Sequence, residues 1–376
     1  MLCQSHDFQL EDINSLSDEN TEVLGNMEPL RGNSTQRSFQ ILLGGKSCRY
    51  SGFYEELNIL CHKDVVKVHK LPEECESFVF KGVTCSNADY NIMTPTNQDL
   101  EYLQSLINFK DKSDETTPVF IFYTRASIRD WYNALFHGNH ALEAQKVKQF
   151  VSEHAVKGLI LDGIDGTDLY TAENFYQQLT NYIKTIKTIN LDLSIGFYLS
   201  ARNFSMYNTN MPDFSQINGI FDFFLFDFLT FNDCTDDLLR GGITPDQSPD
   251  PNILSLTDFI TTFNLSIIDP QKVVFEFLIS PKPKNEKEFK PCEISYNKYC
   301  EHYKDLHSSW CIDDNEILYK KGQFARKYSK GFVASYIDLV DRENKCNCDD
   351  KYITFSILSS GYEGGEAKTC DALKIA

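Results

Sequence analysis

Eight short runs of β-branched and aromatic residues recur along the chain, separated by amphipathic segments. Each run is almost continuously apolar, which is typical of parallel strands buried on both faces. The runs cover residues 47–52, 77–83, 119–123, 157–162, 191–198, 219–226, 272–279 and 331–338. Between them, segments such as 172–189 repeat apolar side chains at three-to-four-residue spacing, which predicts helices. Eight such units over about 330 residues favour a (β/α)8 barrel over a doubly wound sheet.

Two stretches depart from this alternation. Residues 1–38 are acidic and polar and lack periodicity, which predicts a mobile N-terminal arm and leaves 39–376 for the barrel. Residues 282–323 are charged, carry Cys292, Cys300 and Cys311, and lie between the seventh and eighth runs. We expect them to form a small insertion over the barrel mouth.

Composition narrows the class of protein. The 376 residues include 36 Lys and Arg against 54 Asp and Glu, a formal net charge of −18, which argues against nucleic acid as a partner. A hydrophobic fraction of 41% is enough for a large core and excludes wholesale disorder. No run reaches the 18 or so apolar residues of a membrane span. The sequence predicts a soluble, acidic, globular protein without a membrane span.

The number of cysteines indicates the cellular compartment in which the protein folds. Twelve cysteines, an even number, favour disulfides and an oxidising environment. Sequons at Asn33, Asn203 and Asn264 agree with secretion. Residues 1–10 (MLCQSHDFQL) have neither the basic nor the apolar region of a signal peptide. We therefore expect a secreted protein whose start is incomplete or unusual, the alternative being a protein that stays inside the cell.

Residues 157–170 read KGLILDGIDGTDLY. This segment resembles the fourth-strand signature of glycoside hydrolase family 18, the chitinases and chitinase-like lectins. That signature is D-G-[aliphatic]-D-[aliphatic]-D-[aromatic]-E, commonly followed by Tyr. The matching residues are Asp162, Gly163, Ile164, Asp165 and Tyr170. Thr167 stands at the inner Asp position, and Leu169 at the position of the catalytic Glu.

Fainter resemblances to the same family cover residues 45–350. They imply that Cys75, at the start of the second run, pairs with Cys48. Residues 294–300 (ISYNKYC) are similar to the insertion segment that carries the family's second disulfide, through Cys300. Cys346-Asn-Cys348 could help to bind a metal, but we favour disulfides with Cys300 and one other insertion cysteine. No metal site and no cofactor are expected.

The resemblance implies loss of catalysis. In this family the substrate's own acetamide attacks the anomeric carbon, while a Glu protonates the leaving oxygen. Because side chains alternate along a strand, positions 165, 167 and 169 are expected to face the barrel mouth together. Leucine cannot donate a proton there. Asp168 faces the other way unless a bulge at Gly166 rotates it inward. The family's Trp platform is replaced by Ser335, and its Met-x-Tyr-Asp by residues 227–230 (DFLT).

Seven residues at or near the carboxyl ends of predicted strands are candidates for glycan binding, because barrel sites are built at that end. They are Asp162, Asp165, Tyr170, Tyr123, Tyr198, Asp227 and Tyr336. Each could instead fill the barrel or hold backbone amides at a strand end.

Three functions remain open at this point. The first is a catalytically inactive chitinase-like protein, a monomer, that binds chitin or N-acetylglucosamine oligosaccharides without cutting them. The second is an active but degenerate chitinase-type glycosidase with Asp168 or an acid of the insertion as proton donor. The third is a secreted scaffold with a plugged mouth that binds protein partners.

Overall fold

The computed structural model describes residues 40–50, 67–110, 115–164, 167–206, 211–238, 242–288, 294–303 and 309–374. The barrel strands are β1 (Gly45–Tyr50), β2 (Ser77–Cys85), β3 (Val119–Thr124), β4 (Gly158–Leu161), β5 (Ser194–Ser200), β6 (Phe223–Asp227), β7 (Val273–Leu278) and β8 (Gly331–Ser335). Each strand is parallel to its neighbour in sequence, and β1 pairs with both β2 and β8, which closes the sheet. The predicted (β/α)8 barrel is confirmed.

Helices alternate with the strands. They are α1 (Asn97–Ile107), α2 (Ile128–His137), α3 (His140–His154), α4 (Thr167–Tyr170), α5 (Phe175–Ile189), α6 (Ala201–Ser205), α7 (Phe214–Ile217), α8 (Leu256–Leu265), α9 (Tyr296–Lys298), α10 (Asn315–Tyr328) and α11 (Ile353–Glu363). Capping boxes at Thr96 and Ser255 begin α1 and α8 by satisfying their first backbone N–H groups. Among the described helices, none is long and apolar enough to cross a membrane.

Side-chain alternation along the strands divides the core into two parts. Outward-facing residues pack beneath the helices in a large apolar cluster. Inward-facing residues such as Phe120, Phe122 and Leu225 fill the barrel itself, and Leu43 joins them from the segment before β1. Glycine at 196 leaves room for this filling, because a Cβ there would lie 2.1 Å from the Phe223 ring. The barrel interior is therefore packed, and its charged residues lie at one end.

The insertion between β7 and β8 is shorter than predicted. Two short antiparallel strands, Lys282–Pro283 and Trp310–Cys311, frame it, and α9 lies between them in sequence. Residues 315–323 belong to α10, whose N-terminus is capped by the Asp314 side chain. The predicted end at residue 323 is wrong because this capped amphipathic helix is the barrel helix that precedes β8.

Four disulfides lie within the described residues. Cys48 pairs with Cys75, as the family resemblance implies, and joins β1 to the approach of β2. The others are Cys234–Cys311, Cys300–Cys346 and Cys348–Cys370. Cys300 thus pairs with Cys346 of the Cys-Asn-Cys segment, as predicted. Cys348, in contrast, pairs with Cys370 in the C-terminal segment and not with an insertion cysteine. Among the described cysteines, Cys85 is free and buried.

Candidate functional site at the barrel mouth

A layer of polar side chains crosses the barrel interior at the carboxyl ends of its strands. Arg49 on β1 lies beside Ser335 on β8, and Glu276 on β7 lies beside Asp227 on β6. The Arg49 guanidinium donates from Nη1 to Glu276 Oε1 at 2.7 Å. The Ser335 hydroxyl donates to the same oxygen. Since Glu276 has no exposed area, this ion pair neutralises the Arg49 charge inside the protein.

Aromatic rings hold the Arg49 guanidinium in place. Its Cζ lies 4.3 Å from the centroid of the Phe122 ring and 5.6 Å from that of Tyr336. A cation over a ring face gains roughly 0.5–2 kcal/mol, depending on desolvation. Burial opposes the charged form, but Glu276, Tyr198 and Tyr336 together outweigh it and raise the pKa of Arg49. Arg49 is therefore a fixed cation that stays charged.

Asp227 is a carboxyl group poised between its two charge states. Asp227 is 9% exposed. Burial of the carboxyl, together with the negative charge of the neighbouring Glu276, raises its pKa to about 7. Its Oδ1 accepts the backbone N–H of Leu229 at 2.5 Å, and the Thr230 hydroxyl donates to Oδ2 at 3.4 Å. Near neutral pH the protonated and ionised forms are both populated.

Asp162 directly follows β4 and is partly buried. Burial raises the pKa of its carboxyl, while the charge of Arg49 acts in the opposite direction, so the carboxyl lies within electrostatic reach of the Arg49–Glu276 pair. Its backbone is held firmly. Its N–H donates to the carbonyl of Tyr123 at 3.1 Å, and its carbonyl accepts from the Trp131 indole at 2.9 Å.

Two partly buried tyrosines complete what we call the mouth cluster: Arg49, Asp162, Tyr198, Asp227, Glu276, Ser335 and Tyr336. The Tyr198 ring meets the Phe122 ring edge-on at 4.9 Å between centroids. Tyr336 follows β8 and has a φ of 62°, a left-handed conformation that is uncommon for a bulky residue. The structure thus brings four of the seven predicted glycan-binding residues into one cluster.

Tyr123 is a wrong prediction. Because Phe120 and Phe122 face into the barrel, Tyr123 faces out, towards the helices. It is fully buried, and its hydroxyl donates to Glu143 Oε1 at 2.6 Å. Glu143 also accepts from Arg125 and from the Tyr182 hydroxyl. Tyr123 therefore belongs to a buried polar network of the core and cannot contact a sugar.

The segment after β4 also differs from prediction. The strand ends at Leu161, Gly163 adopts a φ of 79°, and Thr167–Tyr170 forms the helical turn α4. The prediction that residues 167 and 169 lie on a face of the strand is wrong, because both belong to a helical turn, to which strand alternation does not apply. Leu169 is 2% exposed and lies in the large apolar cluster.

The roles predicted for several residues after β4 stay predictions. Asp165 and Gly166 lie outside the described residues, as do the side chains of Thr167 and Asp168, so their assigned roles are open. The Tyr170 ring packs against Phe175 at 5.5 Å between centroids.

The arm 1–38, with Asn33, also lies outside the described residues. Asn264 is exposed on α8, whereas Asn203 is half-buried in α6.

Sequence reasoning missed Arg49 and Glu276. Each is a charged residue at an inward position of its strand, where the other inward residues are apolar or small. A charge placed in a strand buried on both faces needs a partner, and this was the available signal. Within the described residues, no group of three or more metal-ligating side chains occurs.

The fold is that of the chitinases and chitinase-like proteins. Catalytic domain 2 of the Ostrinia furnacalis Group II chitinase is 14% identical over 87% of this chain and 99% of its own, with a TM-score of 0.62. A variant of that domain with one Glu replaced by Leu has been solved with penta-N-acetylchitooctaose.

A pseudo-chitinase and a chitinase-like agglutinin share the fold. Human YKL-39, described as a pseudo-chitinase with retained chitooligosaccharide binding, is 12% identical over 88% of this chain and 98% of its own (TM-score 0.57). A chitinase-like agglutinin from Robinia pseudoacacia is 9% identical over 84% and 99% (TM-score 0.59). No protein-family model matches the chain, and no curated protein matches it by sequence.

Proposed function

We propose that this protein is a chitinase-like lectin that binds N-acetylglucosamine oligosaccharides without hydrolysing them. The observation that carries the proposal is the mouth cluster, in which partly exposed tyrosine rings stand beside a fixed cation and three carboxyl groups. Sugars are recognised by such surfaces because their C–H faces stack on aromatic rings while their hydroxyls hydrogen-bond to polar groups. The Tyr198 and Tyr336 rings are the proposed stacking surfaces.

The identity of residue 169 supports the absence of hydrolysis. The family resemblance assigns to it the proton donor, and leucine has no proton to donate. Its burial in the apolar core also keeps it away from any sugar. General acid catalysis contributes about 10²–10⁴-fold to a rate, so its loss alone would leave little activity. The oligosaccharide complex of the Glu-to-Leu chitinase variant supports the proposal, because a protein of this fold binds such a ligand after one Glu is replaced by Leu.

One observation favours a second candidate function, a degenerate glycosidase. Asp227 has a pKa of about 7, and a carboxyl that keeps its proton near neutral pH can act as a general acid. Cleavage of the oligosaccharide that disappears in Asp227→Asn would establish this function in place of the lectin.

The deciding experiment is a calorimetric titration with N-acetylglucosamine oligomers of two to six units, followed by mass spectrometry of the ligand. We expect affinity to rise with oligomer length and the oligomer to stay whole. Tyr336→Ala should weaken binding at least tenfold, whereas Tyr132→Ala, which removes an exposed ring on α2, should not. No heat with any oligomer would reject the lectin function and leave the scaffold hypothesis.

We also propose that the protein is extracellular and monomeric. Four disulfides support an oxidising compartment. Light scattering coupled to size-exclusion chromatography, with the purified oxidised chain, should give the mass of one chain.

A further inference from the structure

Two of the sequons lie within the described residues, and their surroundings differ. The first, Asn203-Phe-Ser, lies in α6, where Asn203 is half-buried. Its middle residue, Phe204, is 3% exposed. The Phe204 ring packs against α8, with its centroid 5.2 Å from that of Phe259 and 6.5 Å from that of Phe263. A large group on Asn203 would therefore stand directly beside a buried contact between two helices.

The second sequon, Asn264-Leu-Ser, is open to solvent at the end of α8. Asn264 is exposed, and Leu265, the middle residue, is 71% exposed. Ile267, directly after the sequon, is 58% exposed. Two neighbouring aliphatic side chains thus remain in contact with water, at a cost of roughly 25 cal/mol for each Å² of apolar surface. A group attached to Asn264 has room here and an apolar surface to cover.

This sequon also lies away from the mouth cluster. Helix α8 connects β6 to β7 and, as in other βα units, runs back from the carboxyl ends of the strands to their amino ends. The Asn218 side-chain amide, in the segment just before β6, donates to the carbonyl of Ile267 at 2.9 Å. The end of α8 is therefore held at the amino end of the barrel, opposite the mouth cluster.

On the basis of the proposed extracellular location, we propose that Asn264 carries an N-linked oligosaccharide and that Asn203 does not. The donor is an oligosaccharide linked through a diphosphate to a polyprenol. Asn264 Nδ2 forms a bond to C1 of the first N-acetylglucosamine, and the bond from C1 to the diphosphate oxygen breaks. That oxygen leaves with the electron pair, and a base of the transferase takes the proton from Nδ2. The first sugar ring then covers part of Leu265 and Ile267.

The test expresses the full chain behind a secretion leader in cells that perform N-glycosylation. The glycans are removed enzymatically in heavy-oxygen water, which converts each glycosylated Asn to an Asp with a mass label. Peptide mass spectrometry then reads each sequon separately. We expect the label at Asn264 and none at Asn203. Because the leader directs the chain into the secretory pathway, an unlabelled Asn264 overturns the inference and leaves the proposed extracellular location standing.

Matched variants separate the sequon from effects on folding. Ser266→Ala keeps Asn264 but removes the hydroxyl that the sequon requires, so the label at Asn264 should be lost. Ser266→Thr restores a hydroxyl and should restore the label. Asn264→Gln should increase electrophoretic mobility by the loss of one glycan, whereas Asn203→Gln should not change it. A label at Asn203, or an unchanged mobility in Asn264→Gln, overturns the inference.

A second measurement tests the covering of the two aliphatic side chains. Enzymatic removal of the glycan from the folded protein should increase the binding of a fluorescent hydrophobic dye. In the double variant Leu265→Ser and Ile267→Ser, which keeps the sequon, removal should leave dye binding unchanged. Equal dye binding before and after removal in the wild type would overturn the covering role of the glycan.

Discussion

Replacing Asp227 by Asn should make the protein more stable at alkaline pH. The pKa of this carboxyl is about 7 in the folded protein against an ordinary value of 3.8. Between these two values the folded state keeps a proton that the unfolded state has lost. Stability therefore falls as pH rises through this window. Above pH 7 the full cost is present, and at about 1.36 kcal/mol per pKa unit it reaches up to about 4 kcal/mol.

Asparagine is a suitable probe because it cannot ionise and retains the side-chain oxygen that accepts the Leu229 N–H. The assay is urea unfolding from pH 4 to pH 8 with the disulfides intact. We expect wild type and Asp227→Asn to differ little at pH 4, and the variant to gain up to about 4 kcal/mol in relative stability by pH 8.

The exposed Glu153→Gln change provides the control, since it should leave the shape of the pH profile unaltered. Parallel stability curves for wild type and Asp227→Asn across the whole range would refute the reasoning. They would mean that Asp227 is ionised in the folded protein at the same pH as in the unfolded chain.

Three further predictions concern the scaffold and are measured by urea unfolding at pH 7. Glu143→Ala should destabilise the protein by about 3–5 kcal/mol, because it leaves a buried guanidinium without its counterion; a loss below 1 kcal/mol would contradict this. Gly196→Ala should cost about 1–3 kcal/mol through overpacking against the Phe223 ring, and adding Phe223→Leu should recover part of it. Replacing Cys348 and Cys370 together by Ser should cost about 3 kcal/mol, since their bond closes a chain separation of 22 residues; an unchanged midpoint would show that this bond does not stabilise the fold.

The barrel could be predicted from the sequence because its signal is local. Each strand is a short apolar run that must be buried on both faces, and the eight predicted runs coincide in place with the eight strands. Asp162, Tyr198, Asp227 and Tyr336 were found in the same way, from their position at strand ends. The Cys48–Cys75 bond followed from resemblance to a known family.

Where each strand ends, and which of its side chains face the barrel interior, were decided by the tertiary structure. The apolar run that contains Tyr123 does not indicate which of its residues face the barrel interior. Only the packing of Tyr123 against α3 and α5 shows that its side chain faces outward. Likewise, the sequence after Leu161 continues the family's strand motif, but a left-handed Gly163 ends the extended backbone and a helical turn follows.

The sequence by itself determined the closed barrel, its acidic character and its carboxyl-end candidates, because these depend on hydrophobic burial and charge within short segments. Only the tertiary structure decided the chemistry of the mouth. Arg49 and Glu276 are 227 positions apart, yet closure of the sheet sets them 2.7 Å apart inside the barrel. Among the described residues of the mouth cluster, their pairing leaves Asp227 and Asp162 as the carboxyls without an ion pair. A pKa near 7 arises at Asp227 because burial and a neighbouring charge act on it together.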